Sequence, residues 1–342
     1  MSALQHPLAA AVIALAAAAL CANAAAAPTY AVSDHLKAPD GGWDYASFDP
    51  AHGRVLVSRT GSVSVVDVAT KAVTTLAIAG GGKMHESLPL GGALLLVTDG
   101  TANAAHLIDA ASGAAVADIP TGGQKPDAAV FDPASGLALV MNGKSGDVTF
   151  IDPAAHKAVA SVTVGGALEF AAVDGAGRAF VSVEDQNQIA VIDTRAHTVV
   201  GHYALPGCQG PSGLAYAPEA GVLIAACANK VAKVLSAADG RDVATLAIGA
   251  GPDAVIYDPQ RQLAFIPCGR DGVLEVIAVK GPKDVAIVQT ATTQIGARTG
   301  AVDPATGAIY LPTAKYEHQP SGLVNTVPGT FEVLVVTPGK AD

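Results

Sequence analysis

The chain has 342 residues, half of them apolar and only 15% charged, with 37 Gly and 21 Pro. So much apolar surface argues against a disordered chain. The formal net charge of −10, with no cluster of Lys or Arg, argues against nucleic acid as a partner, because phosphate contacts by basic side chains supply most of that affinity.

In chain order, the first element is a targeting segment. From Leu8 to Leu20 the chain is almost entirely Ala, Leu, Val and Ile. That run is too short for a membrane span, which needs about 20 apolar residues. It leads into Ala22-Asn23-Ala24 and Ala25-Ala26-Ala27 before Pro28, the small-residue pattern of a signal-peptidase site. Residues 1–26 therefore read as a cleaved signal peptide, although His6 is the sole basic side chain ahead of the apolar run. Cys21 offers a lipid-anchor alternative, but Leu20 is large where such a site wants a small residue. No later stretch is long and apolar enough to span a bilayer. The expectation is a soluble periplasmic or secreted protein, monomeric, with one domain over residues 28–342.

Past the leader one unit recurs. It opens with a short apolar run, turns at Asp-Pro, continues with a second run, and reaches a third run ending at Asp before a last strand. Opening turns are Phe48-Asp49-Pro50, Phe131-Asp132-Pro133, Tyr257-Asp258-Pro259 and Val302-Asp303-Pro304, with degenerate copies at Pro89, Val173-Asp174-Gly175 and Tyr216-Ala217-Pro218. Third runs include Val63–Asp67, Val148–Asp152 and Ile189–Asp193. Seven copies at a period of about 42 residues match four-stranded propeller blades. The runs are short, β-branched and bounded by Gly, Pro, Asp or Asn, so they read as strands, and no window keeps a helical period. The fold class is all-β, a seven-bladed β-propeller of four-stranded antiparallel blades. The seventh copy has three strands, the last at Phe331–Val336, and Tyr30–Asp34 is an unattached strand ahead of the first copy. Placing it in the last blade closes the ring and covers an open sheet edge.

Pro126-Asp127-Ala128-Ala129-Val130-Phe131-Asp132-Pro133 and Val65-Val66-Asp67-Val68-Ala69-Thr70-Lys71 carry a resemblance. So do Leu205–Ala215 and Gly296-Ala297-Arg298-Thr299. The chain after the leader resembles the YVTN-repeat, YncE-like β-propeller family of exported bacterial proteins. The resemblance implies the fold and export; the wider propeller group includes binding proteins, cofactor-bearing dehydrogenase subunits, lactonases and lyases, so it does not choose an activity.

In a propeller, the links into the innermost strands and the loops after the second strands meet one face around the channel. Aligned on the Asp-Pro turns, one residue of each link falls in register: Asp44, His85, Asp127, Glu169, Ser212, Asp253 and Arg298. One reading is an acidic funnel that binds a small ligand, a cation or an envelope protein, with Ca²⁺ or Mg²⁺ as the cofactor its four carboxylates would suit. The other is a solvated or ion-paired channel lining, Arg298 pairing with a neighbouring acid. Crowded carboxylates also raise one another's pKa, which would furnish acid–base chemistry. The long segment 314–329 falls on the same face and brings Tyr316 and His318 to it as a cap. His52, His156 and His197 sit in hairpin turns and should be exposed, whereas His106 lies in a strand. Cys208, Cys227 and Cys268 also gather at this face. A Cys208–Cys227 disulfide is expected in an oxidising compartment, against alternatives of buried thiols or a metal site.

No phosphate loop, Gly-x-Ser-x-Gly elbow, His-Glu-x-x-His or haem-attachment motif occurs. Together these readings favour an exported, non-enzymatic binding or scaffold protein. The alternative is a propeller enzyme, a lactonase-like hydrolase or a lyase.

Overall fold

The recurring aspartates explain the repeat. A short acidic side chain at the end of a strand can accept the backbone N–H groups two and three residues on, which folds the chain back. Asp67 does so from Ala69 and Thr70 at 3.1 and 2.7 Å, and Asp152 from Ala154 and Ala155 at 2.9 and 3.0 Å. Asp193 repeats the pattern on Arg195 and Ala196 at 2.9 and 2.8 Å. At the opening turns, Asp132 and Asp303 hold Ala134 and Ala305 in the same way. Where consecutive strands form a blade, two of its three hairpin turns can thus be fixed by local chemistry.

The computed structural model describes residues 28–318 and 324–339. The first blade comprises β2 (Trp43–Asp49), β3 (Arg54–Arg59), β4 (Ser62–Asp67) and β5 (Val73–Ala77), paired antiparallel in that order. Five more meanders follow: β6–β9 over 84–120, β10–β13 over 126–163, β14–β17 over 168–204, β18–β21 over 211–247 and β22–β25 over 256–292. The seventh sheet is assembled from both ends of the chain, in the order β26 (Ala301–Val302), β27 (Ile309–Thr313), β30 (Glu332–Pro338) and β1 (Tyr30–Lys37). The fold is therefore the expected ring of seven four-stranded blades, with the N-terminal strand closing the last. The leader expected at 1–26 lies outside the described residues.

Burial follows position within the blade. The second strands β3, β19 (Val222–Cys227) and β23 (Leu263–Cys268) are buried at every residue, because neighbouring blades cover both of their faces. Of these, β19 and β23 accordingly read as unbroken apolar runs, whereas β3 also buries Arg54, Ser58 and Arg59. The outermost strands β1 and β17 (Thr198–Ala204) alternate between half-buried and exposed positions along almost their whole length. Among the described residues, no helix is long and apolar enough to cross a membrane. One departure from the expected exposure is His197, whose ring packs 4.5 Å from that of Phe150. His106 is buried between Asp118 and Asp99, at 2.7 and 3.3 Å.

Cys208, just before β18 (Pro211–Ala217), is bonded to Cys227 at the end of β19, with their Cα atoms 5.5 Å apart. Cys268 is buried and unpaired. A link across 19 residues contributes about 3 kcal/mol, chiefly by restricting the unfolded chain. Denatured without reductant, a chain cleaved after residue 26 should therefore show one reactive thiol. Three would contradict the bond.

Candidate functional site

The innermost strands of the seven blades bring the ring residues to one mouth, but not as equivalent, solvated neighbours. Asp44 on β2, His85 on β6 (Met84–Pro89) and Asp127 on β10 (Pro126–Asp132) come from consecutive blades and converge. His85 Nδ1 lies 2.7 Å from Asp44 Oδ2 and 3.1 Å from Asp127 Oδ1, and Lys125 Nζ sits 2.7 Å from Asp127 Oδ2. His85 and Asp127 are only 2% and 3% exposed, so this half of the mouth is packed rather than wet. Burial disfavours the imidazolium, but the Asp127 and Asp44 carboxylates outweigh it and push the His85 pKa up to about 9. Asp127 is driven the other way: burial would raise its pKa, and the His85 and Lys125 charges hold it below the usual carboxylate range. Gly100 permits the arrangement, since a Cβ there would stand 2.5 Å from His85 Nε2.

Among the described residues, these three are the group whose donor atoms come close enough to share an ion, all within 4.8 Å. One nitrogen and two oxygens suit a transition metal better than the Ca²⁺ or Mg²⁺ expected from four carboxylates. Glu169 and Asp253 do not join the group. The charges on His85 and Lys125 already balance Asp44 and Asp127, so the cluster is satisfied as an ion network.

The other half of the mouth is open. A cavity of about 700 Å³ lies against blades four to seven, lined by Glu169, Glu184, Ser212, Asp253, Arg270, Ile295, Arg298 and Tyr316 among others. Arg298 pairs with Asp253 at 2.9 Å, as the ion-paired reading of the ring anticipates, and its guanidinium carbon lies 5.7 Å from the Trp43 ring centre. Burial raises the Asp253 pKa to about 6 against the pull of Arg298. Glu169 is pushed up to about 8, by burial first and then by the Asp127 and Asp253 charges. It therefore keeps its proton at neutral pH, and the funnel is far less acidic than its residue types suggest. Ser212 is buried, its hydroxyl 3.4 Å from the Pro252 carbonyl.

The segment expected to cap the mouth forms a small hairpin, β28 (Tyr316–His318) with β29 (Val324–Thr326). Tyr316 does reach the cavity, its ring 6.3 Å from that of Trp43. His318 lies on the same short strand, and residues 319–323 fall outside those described.

The channel below is closed. One position further along the innermost strands, Tyr45 of blade one meets Phe170 of blade four across the axis, ring centres 4.4 Å apart. The Tyr45 hydroxyl donates to Glu169 Oε2 at 3.1 Å. Desolvation, followed by the charges of Asp127, Glu169, Asp253 and Asp44, drives the phenol pKa well above its ordinary value. In the same layer a Cβ on Gly213 would stand 2.5 Å from the Ala254 backbone, so these inner strands touch directly. The mouth is a cup with an aromatic floor rather than a water-filled pore.

Sequence reasoning does not find Tyr45, Phe170, Lys125, Glu184 or Arg270. The signal for the floor is visible in retrospect: Tyr45 and Phe170 are the two aromatics one step past the aligned ring. Nothing local distinguishes Lys125 or Arg270 from other exposed basic residues.

No protein-family model and no curated protein matches the sequence. Solved structures do. A chain of Kuenenia stuttgartiensis hydrazine synthase superimposes with a TM-score of 0.70 at 16% identity, covering 90% of this chain and 99% of that one. A chain in the crystal structure of a mitotic checkpoint complex gives 0.71 at 14% identity, covering 96% and 98%. At such identities the likeness is one of fold, and it identifies the chain as a seven-bladed β-propeller.

Proposed function

We propose that this is an exported binding protein of the cell envelope, related to the YVTN-repeat, YncE-like propellers, that holds a small polar ligand in the open half of its channel mouth. The observation that carries the reading is the cavity of about 700 Å³ over a closed floor. It lies in the size range of small-molecule sites, and its apolar wall is punctuated by a few convergent polar groups, as such sites are. The leader-like residues 1–26 and the Cys208–Cys227 bond support export.

One observation favours an enzyme as the second reading. Glu169 and Asp253 line one cavity with pKa values pushed to about 8 and about 6, and such a pair can supply an acid and a base to a hydrolase or lyase.

One experiment weighs both. Amino acids, short peptides, sugars, nucleosides and lactones are screened by thermal shift and by turnover, on the parent protein and on Ala228→Trp. Ala228 is an exposed residue of the cavity wall, so a Trp there fills the cavity without entering the core. Binding requires at least one class to raise the parent's melting temperature by several degrees and to lose that effect in Ala228→Trp. Lactone turnover that Glu169→Gln abolishes would support the enzyme instead. Shifts that survive Ala228→Trp would contradict a site in this cavity.

A further inference from the structure

The cavity is lined by Glu184, Ala228 and Gly269 at three of the seven equivalent positions that follow the second strands. Five of the seven are small: Gly100, Gly143, Ala228, Gly269 and Ala314. The reason is close approach to the neighbouring link. A Cβ on Gly143 would stand 2.9 Å from the Leu168 carbonyl oxygen, and one on Gly269 2.8 Å from Arg298 Cβ. Blade one departs from this rule with Thr60 and blade four with Glu184, which starts a 3₁₀ turn (Glu184–Gln186) and leans over Gly210 with Oε1 3.7 Å from a Cβ built there. Across the cavity, blade six contributes Arg270, whose side-chain stem lies on Gly251.

Both charges are exposed, and among the described residues neither makes a salt bridge. The other charged groups of the wall are spoken for. Arg298 is tied to Asp253, and Glu169 is protonated under the Tyr45 hydroxyl. The cavity is therefore polarised, with a free carboxylate and a protonatable carboxyl on the blade-four side and a free guanidinium on the blade-six side. Ile295, 58% exposed, adds an apolar wall beside them.

We propose that the ligand is a zwitterion with an aliphatic side chain, an amino acid or a short peptide, whose ammonium group meets Glu184 and whose carboxylate meets Arg270. This rests on the small-ligand reading and adds the ligand's charge pattern to it. An Arg fork recognises a carboxylate through two parallel hydrogen bonds. Opposed charges across the cup favour a ligand that brings both, because a ligand with only one of them forfeits a charge-assisted hydrogen bond.

The test is calorimetric titration with four probes: L-leucine, leucyl-leucine, isoamylamine and 4-methylpentanoate. The last two are leucine without its carboxylate and without its amine. At least one of the two zwitterions should bind, and each single-charge probe should bind roughly tenfold or more weakly than it. Whichever zwitterion binds better identifies an amino acid or a peptide as the natural size. Arg270→Gln should erase the preference over isoamylamine, and Glu184→Gln the preference over 4-methylpentanoate. Equal affinity for a single-charge probe, or preferences unchanged by both substitutions, would overturn the proposal. If none of the four binds while another ligand class binds in a manner blocked by Ala228→Trp, the zwitterion fails and the small-ligand site stands. If nothing binds in that manner, both fail.

Discussion

A chain beginning at Ala38, and so lacking β1, should melt at least roughly 10 °C below one beginning at Pro28, or fail to fold. The size of the effect follows from what β1 does. It pairs with β30 from Tyr30 opposite Pro338 to Lys37 opposite Glu332, and without it β30 becomes a bare sheet edge. Tyr30 is 1% exposed and packs edge-on to Phe265 of the neighbouring blade at 4.9 Å. Burial of such a side chain is worth about 2–3 kcal/mol. The Tyr30 backbone also donates to Gln289 Oε1 at 2.7 Å and accepts from Gln289 Nε2 at 2.8 Å, which ties blade seven to blade six. Glu332, buried on β30, would lose both Lys37 and His35, at 2.7 and 3.1 Å. Calorimetry on the two chains measures the effect; closely similar melts would mean that the ring does not depend on this strand.

The second large effect is a loss of stability as pH rises. His85 is raised from 6.5 to about 9, so its contribution is complete below pH 6.5 and is lost as pH climbs through 9. Glu169 and Glu86 are each raised from 4.5 to about 8, chiefly by burial, and favour the native state in the same direction. The folded protein holds these protons where the unfolded chain has released them, so each step up in pH costs stability. Lowered carboxylates such as Asp127 and Glu332 act oppositely, their stabilisation being lost in acid below the ordinary carboxylate range. The optimum should fall near pH 5 to 6, and the melting temperature should drop by roughly 5–10 °C between there and pH 9.5. Glu169→Gln keeps an acceptor for the Tyr45 hydroxyl while removing the titration. It should match the parent at pH 4 and exceed it at pH 9. A melting temperature that holds or rises over this range would contradict the burial of these protons.

Much of the fold is legible in the sequence because its causes are local. Asp67, Asp132, Asp193 and Asp303 form turns through their own backbone neighbours, so the repeat, its period and the missing strand of the last blade can all be read from residue order. The ring Asp44, His85, Asp127, Glu169, Ser212, Asp253 and Arg298 is legible for the same reason, as a register within the repeat. What the register cannot carry is the difference between one blade and the next. The convergence of Asp44, His85 and Asp127 depends on Gly100 leaving room for the imidazole and on Lys125 approaching from the adjoining link. The closure of the channel depends on Tyr45 meeting Phe170 across 125 positions of sequence, counted from 45 to 170. The raised pKa of Glu169 follows the direction expected of crowded carboxylates, but burial, which residue order does not show, is its larger cause and leaves the group neutral.

The mouth is divided into a sealed, ion-paired half and an open half that we propose takes a ligand. The most direct measurement is a crystal structure grown with leucyl-leucine or L-leucine, whichever titrates more tightly. The expected density lies between Glu184 and Arg270 beside Ile295, with the Asp44–His85–Asp127 network unchanged. Ligand seated on that network, or a channel opened between Tyr45 and Phe170, would contradict it.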